Sequence, residues 1–239
     1  MIILNTFRYH SKKEKEISEI NAFSLKSVNN ADAAVRTSFE QTAQFLKAIG
    51  DNLVIAFEGA ISDNRERLKD TKNKEDQIQK WSNVIIANIF KTLYLLGERD
   101  LDDTHRYSAT INSLQAIAES HRDIVTRMSD HFENYHTGFL DDQKQELRLL
   151  KTLMSRLLWN TSIMLSRRKK VDYNYVYSQC SKIAKLVKDC ERSQVGRIQE
   201  SRSKTRLSIL FYGLLRNCIR ISERTKELLE IFRVYLNKK

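Results

Sequence analysis

Proline is missing from all 239 residues, and glycine occurs only six times. Ordinary chains carry about 5% proline, which costs a helix interior roughly 3 kcal/mol. Its absence points to long helices joined by short turns. Long apolar runs are lacking too. The longest, Val84 to Leu96, is interrupted by Asn88 and Lys91, whereas a membrane-spanning helix needs about 20 apolar residues. The opening Met1-Ile2-Ile3-Leu4 is a stub with no signal-peptide architecture behind it. A soluble all-α chain is expected, and 41% hydrophobic residues suffice for a real core.

Cysteine is scarce and odd in number: Cys180, Cys190 and Cys218. The first two share one expected helix, where ten residues of rise separate them by about 15 Å, beyond the roughly 7 Å a disulfide tolerates. Cys180 and Cys218 fall on apolar faces and read as small core residues, which fits a reducing, cytoplasmic setting. Catalytic signatures are missing as well. His10, His105, His121, His131 and His136 never form the HExxH spacing, and they read as surface residues. No CxxC pair, P-loop, GxGxxG or GxSxG occurs. No catalytic residue and no cofactor is assigned.

What is present is charge, unevenly placed. Residues 1–120 hold 16 Lys/Arg against 17 Asp/Glu, while residues 121–239 hold 25 against 13. The second half thus carries +12 of a net +11, against −1 in the first. Such asymmetry fits a surface aimed at an anionic partner, or simply a solvated basic face. The densest basic region runs Arg167-Arg168-Lys169-Lys170 and is joined by Arg197, Arg202, Lys204 and Arg206. Tyr173, Tyr175 and Tyr177 adjoin it, but a period of two spreads them around a helix, so packing of one or two is expected rather than a stacking platform.

Six helices are legible from stripes of 3.6-residue period. The first, from about Asn30 to Lys69, carries Val35, Phe39, Thr42, Leu46, Ile49, Leu53, Phe57 and Ala60. A second, near Lys74 to Leu96, shows Ile78, Trp81, Ile85, Ile89, Thr92 and Leu96, and Gly97 suits its stop. Asp100, Asp102, Asp103 and Thr104 favour the start of the third, which continues through Tyr107, Ile111, Leu114, Ile117 and Met128. Thr137-Gly138 breaks the chain near its midpoint. Leu140 to Leu165 forms the fourth helix, and Asp172 caps the fifth, whose stripe runs Val176, Cys180, Ile183, Val187, Cys190 toward Ile198. The sixth spans about Thr205 to Tyr235. Shifting the third helix by 104 residues lays Tyr107, Ile111, Leu114, Ile117 and Glu119 over Phe211, Leu215, Cys218, Ile221 and Glu223. Two tandem three-helix units, 29–136 and 137–239, follow, with residues 1–28 as an N-terminal arm or short helix.

A cation site needs convergent oxygen ligands. Glu75 and Asp76 at the start of the second helix, Glu119 with Asp123 one turn apart on the third, and Glu223 come closest. Helix-start carboxylates more often serve the dipole, and exposed ones face water.

The stretch Gln194-Val195-Gly196-Arg197-Ile198-Gln199-Glu200, followed by Leu207-Ser208-Ile209-Leu210-Phe211-Tyr212-Gly213-Leu214-Leu215, resembles the last helix pair of PhoU-like domains. More narrowly, it is similar to the C-terminal cytoplasmic region of bacterial sodium/phosphate cotransporter proteins. Thr6-Phe7-Arg8-Tyr9-His10 and Asn88-Ile89-Phe90-Lys91-Thr92-Leu93 share that likeness, which covers about residues 6–235. The resemblance implies a non-catalytic cytoplasmic domain regulating phosphate uptake at the inner face of the plasma membrane. Its transmembrane partner would precede Met1 or lie in a neighbouring chain; a homodimer is allowed, and no specific nucleic acid is expected. Many PhoU proteins carry acidic metal-binding motifs of the form Glu-Arg-Ile-Gly-Asp on the third helix of each unit. Here the matching strings are Gln115-Ala116-Ile117-Ala118-Glu119 and Ile219-Arg220-Ile221-Ser222-Glu223. The first acid is gone from both, so the metal function is not carried over. Arg167, Arg168, Lys169, Lys170, Arg202, Lys204 and Arg206 are the expected anionic-surface contacts. Alternatives are a free-standing basic helical module on anionic membranes, BAR-like, or a nucleic-acid binder without a recognised reading motif.

Overall fold

A computed structural model describes residues 31–96, 101–167 and 173–237. Among them there are six helices and no strand: α1 (Ala31–Ile61), α2 (Arg65–Leu96), α3 (Leu101–Glu133), α4 (Asp141–Arg167), α5 (Tyr173–Gln199) and α6 (Thr205–Asn237). The expected arm 1–28, Gly97, Asp100, Asp172 and Arg168 to Lys170 lie outside the described residues. No described helix is long and apolar enough to cross a membrane.

The stripes are the core. Phe39, Thr42, Leu46, Ile49, Leu53, Phe57 and Ala60 are all buried on α1, and Leu147, Leu150, Met154, Leu157, Thr161 and Leu165 on α4. A single hydrophobic cluster draws on all six helices. Helix α1 packs mainly on α4, α3 on α6, and α2 and α5 flank these pairs. The pairing repeats across the two halves of the chain. Ser113 donates to Glu227 (2.9 Å) and Asn217 donates to Asp123 (2.6 Å). Positions 113 and 217, like 123 and 227, are 104 apart, so α3 and α6 meet about an approximate two-fold axis.

One boundary differs from the sequence reading. The first helix stops at Ile61, and the second begins at Arg65 rather than near Lys74. Asp63 adopts a left-handed backbone (φ 54°), and the Asn64 amide reaches back to the Gly59 carbonyl at 2.8 Å, the 6→1 bond of a Schellman stop. Asn64 Oδ1 then caps α2 by accepting from the Arg67 amide at 2.9 Å. The same closure recurs twice. Tyr135 (φ 56°) ends α3 with His136 N–H on the His131 carbonyl at 3.2 Å, and Ser201 (φ 56°) ends α5 with Arg202 N–H on the Arg197 carbonyl at 2.9 Å. These three turns gather at one end of the bundle. Lys144 pairs with Asp63 (2.9 Å), Arg65 lies 3.9 Å over the Tyr135 ring, and a Cβ on Gly138 would run into the Asp63 carboxylate.

Candidate functional site

The basic residues separate into two groups. Arg202, Lys204 and Arg206 sit at the end where the three turns meet. Arg167 is exposed at the far end of α4, roughly 40 Å away for a helix of 27 residues. The residues that extend its cluster, Arg168, Lys169 and Lys170, fall outside the described residues. Arg202 is engaged by Glu200 (2.7 Å) and Asp142 (3.3 Å). Arg206 Nη1 donates to His136 Nε2 at 3.0 Å, and Lys204 lies 3.4 Å from the Thr137 hydroxyl.

Arg197 is not part of this surface. Its side chain is 2% exposed. It grips Glu146 through both terminal nitrogens, at 2.8 and 3.2 Å, and reaches Asp142 at 3.3 Å. Its Nε donates to Gln194 Oε1 (2.8 Å), which also accepts from Gln143, while Gln194 Nε2 donates to Ser203 and Ser208. A guanidinium cannot shed its charge, so burial demands this full set of partners. The cluster ties α4, α5 and the start of α6 together and holds the Asp142 carboxyl below its usual range. Desolvation opposes that shift, and the Gln143 amide and Arg197 overcome it. The expected stripe toward Ile198 fails here: Ile198 and Val195 are exposed, while Gln194 and Arg197 take the buried positions. Tyr173 and Tyr177 pack beneath Arg233 and Lys226, and Tyr175 lies 39% exposed beside Asn160, so the three form no platform.

Three carboxylates on α3 and α6 are engaged by guanidinium groups. Glu119 accepts from Arg220 (3.0 Å) and Gln115 (3.3 Å), and Asp123 accepts from Arg127 (2.7 Å) and Asn217 (2.6 Å). Glu223 is exposed. Glu227, which sequence reasoning passed over, is the α6 counterpart of Asp123 and accepts from Arg224 (2.6 Å) and Ser113. Glu75 and Asp76 lie inside α2, not at its start. Asp76 is exposed, but Glu75 is 3% exposed, with Oε1 unpaired and its carboxyl pushed up by burial. Among the described residues no three His, Cys, Asp or Glu side chains converge. Guanidinium groups on Glu119, Asp123 and Glu227 do not fit a multinuclear cation site, since like charge would oppose the metal.

Two histidines expected at the surface are buried. His121 is fully enclosed, and burial drives its pKa down to about 3. Asn52 Nδ2 donates to His121 Nε2 (3.2 Å) and to the Thr71 carbonyl (3.1 Å). The ring proton therefore sits on Nδ1, which has no acceptor. His131, 7% exposed, donates from Nε2 to the Thr137 carbonyl at 2.9 Å. Neither carried a sequence signal beyond its place near an apolar stripe. The three cysteines are free. Burial raises the Cys190 thiol to about 12, so it is an inert core group.

No protein-family model and no curated sequence matches the chain. Solved structures do. PhoU from Pseudomonas aeruginosa superposes with a TM-score of 0.70 at 15% identity, covering 87% of this chain and 98% of that one. The phosphate transport system regulatory protein PhoU from Streptococcus pneumoniae gives 0.67 at 13% identity, over 87% and 97%. The fold is that of PhoU. At these identities the likeness establishes architecture, and the PhoU bundle is preserved here on an almost wholly different sequence.

Proposed function

We propose that this chain is a non-catalytic regulatory domain of phosphate transport. It works at the inner face of the plasma membrane by contact with a sodium-dependent phosphate transporter. The observation that carries the reading is the fold likeness to two PhoU proteins, which takes in 97–98% of their length. The strings shared with sodium/phosphate cotransporter proteins narrow the partner. The division into units 29–136 and 137–239 belongs to the same reading.

Arg167-Arg168-Lys169-Lys170 is the membrane-facing cluster. It is the densest run of cations in the sequence, whereas at the opposite end of the bundle Arg197 is buried and Arg202 is paired with Glu200 and Asp142. Each cation near an anionic leaflet contributes about 1 kcal/mol, screened over about 8 Å at physiological salt. Retention on anionic but not neutral vesicles, released by salt and by changing the four residues to glutamine, is the expected outcome. Equal retention on both lipids removes the membrane contact.

The transporter role is tested by phosphate uptake in cells with and without this chain. Loss of the chain changes uptake in sodium medium, and replacing sodium by choline abolishes the difference. A difference that persists in choline assigns the chain to another transporter class. No difference in either medium overturns the proposal.

A further inference from the structure

At the end where the turns meet, a cavity of about 310 Å³ opens between the last turn of α3, the segment that follows it and the first turn of α6. Its lining includes His131, His136, Thr137, Lys204, Thr205 and Arg206. That size is at the lower end of small-ligand pockets, which run from about 300 to 1,000 Å³.

The start of α6 lacks an acceptor. The Lys204 carbonyl receives the Ser208 amide at 2.9 Å, which makes Lys204 the capping residue. A capping side chain should supply an oxygen, and an ammonium only donates. The amides of Thr205, Arg206 and Leu207 accordingly have no acceptor among the described residues, and the first turn holds no acid. Helix α2 is capped by Asn64, and α4 begins with Asp141 and Asp142.

Lys204 and Arg206 add donors to the same recess. Neither Lys204 nor Arg206 has a carboxylate partner among the described residues. Arg206 can only donate, so His136 Nε2 accepts and its proton lies on Nδ1. His131, more than nine-tenths buried in the cavity wall, spends its Nε2–H on the Thr137 carbonyl, so its Nδ1 is an acceptor, with no donor hydrogen-bonded to it among the described residues and able to take the proton of a singly protonated phosphate. Three orphan amides, two cations without a carboxylate partner and the positive end of a 33-residue helix thus converge on one recess.

We infer that this recess binds a phosphate group. A phosphate supplies several acceptor oxygens and up to two negative charges, enough for the α6 amides together with Lys204 and Arg206. The group could come as inorganic phosphate or as a lipid phosphomonoester, and the two sources share this chemistry. The inference goes beyond the transporter reading and does not rest on it.

The test titrates the whole chain with inorganic phosphate at constant ionic strength, read by calorimetry and by amide NMR shifts. In parallel, phosphatidic acid vesicles are compared with phosphatidylcholine vesicles. Saturable phosphate binding is expected, with shifts centred on Thr205 to Leu207. The double variant Lys204→Gln/Arg206→Gln, both exposed positions, weakens it at least tenfold with unchanged circular dichroism, and Arg206→Lys recovers part of it. Retention on phosphatidic acid alone, lost in the double variant, assigns the pocket to the lipid source. Absence of both forms of binding, or binding indifferent to the double variant, overturns the inference, whatever the uptake experiment returns.

Discussion

A single proton decides how the buried His121 behaves. The neutral ring fits its site with Asn52 on Nε2, whereas a charged ring would be enclosed without any carboxylate hydrogen-bonded to it. Its pKa of about 3 in the folded state lies below the ordinary value of 6.5, so the unfolded chain binds the proton first as pH falls. Stability from this residue is intact above about pH 6.5 and is lost progressively toward pH 3. At pH 5 the loss reaches about 2 kcal/mol. His121→Gln removes the titration and keeps a polar side chain. In denaturant melts at pH 7.5 and pH 5, wild type should lose about 2 kcal/mol more than the variant. An equal loss in both would assign the acid sensitivity elsewhere. Glu75 has the opposite sign: its raised carboxyl pKa makes its burial less costly at acid pH and more costly as pH rises. Glu119, Asp123 and Glu227, already held by guanidinium groups, need no metal to neutralise them. Dialysis against a chelator should therefore leave the melting temperature unchanged. A fall of several degrees that iron, zinc or magnesium restores would show that these side chains rearrange around an ion.

Helices were far more legible than the turns between them. A stripe such as Phe39 to Ala60 declares itself because burial selects apolar residues every three or four positions. Helix stops are legible when glycine supplies the left-handed residue, and here Asp63, Tyr135 and Ser201 do so instead. That is why the first helix read as continuous to Lys69. Stripes also hide where they turn polar. Gln194 and Arg197 continue the spacing of Val187 and Cys190, but their polarity made Ile198 look like the next core residue. The partners that make their burial tolerable, Gln143 and Glu146, are 51 positions away in sequence. No local pattern announces such a pairing. The candidate pocket was legible only as Lys204 and Arg206, since the missing cap acceptor emerges from hydrogen bonds. The turns can be probed directly. Ser201 is exposed and its side chain has no hydrogen bond, so Ser201→Gly relieves the left-handed strain at the cost of a freer unfolded chain. A net gain of about 0.5–1 kcal/mol in a denaturant melt is expected, and Ser201→Val should lose at least as much.

Across the whole molecule, the approximate two-fold axis constrains how the halves can exist apart. Helices α1 and α4 occupy corresponding positions, as do α3 and α6, and these are the pairs that build the centre. Lys151 reaches Glu58 at 3.1 Å, and Trp159 donates to Asp51 at 2.9 Å across the first pair. Arg220–Glu119 and Asn217–Asp123 bridge the second. The core that results is one cluster shared by all six helices. The 239-residue chain should therefore unfold in one transition, with helical and tertiary signals coincident. Residues 137–239 expressed alone would keep α4, α5 and α6 but expose the faces of α4 and α6 that meet α1 and α3. Leu147, Leu150, Leu157, Leu214 and Cys218, all buried in the full chain, lie on these two helices. A unit that packs on its partner about an approximate two-fold axis has a ready solution, which is to pair with a second copy of itself about a true one. Sedimentation should find the fragment helical and dimeric, and Leu150→Glu should leave it monomeric and largely unfolded. A helical monomer with its own cooperative melt would show that the halves are independent units that merely rest on each other.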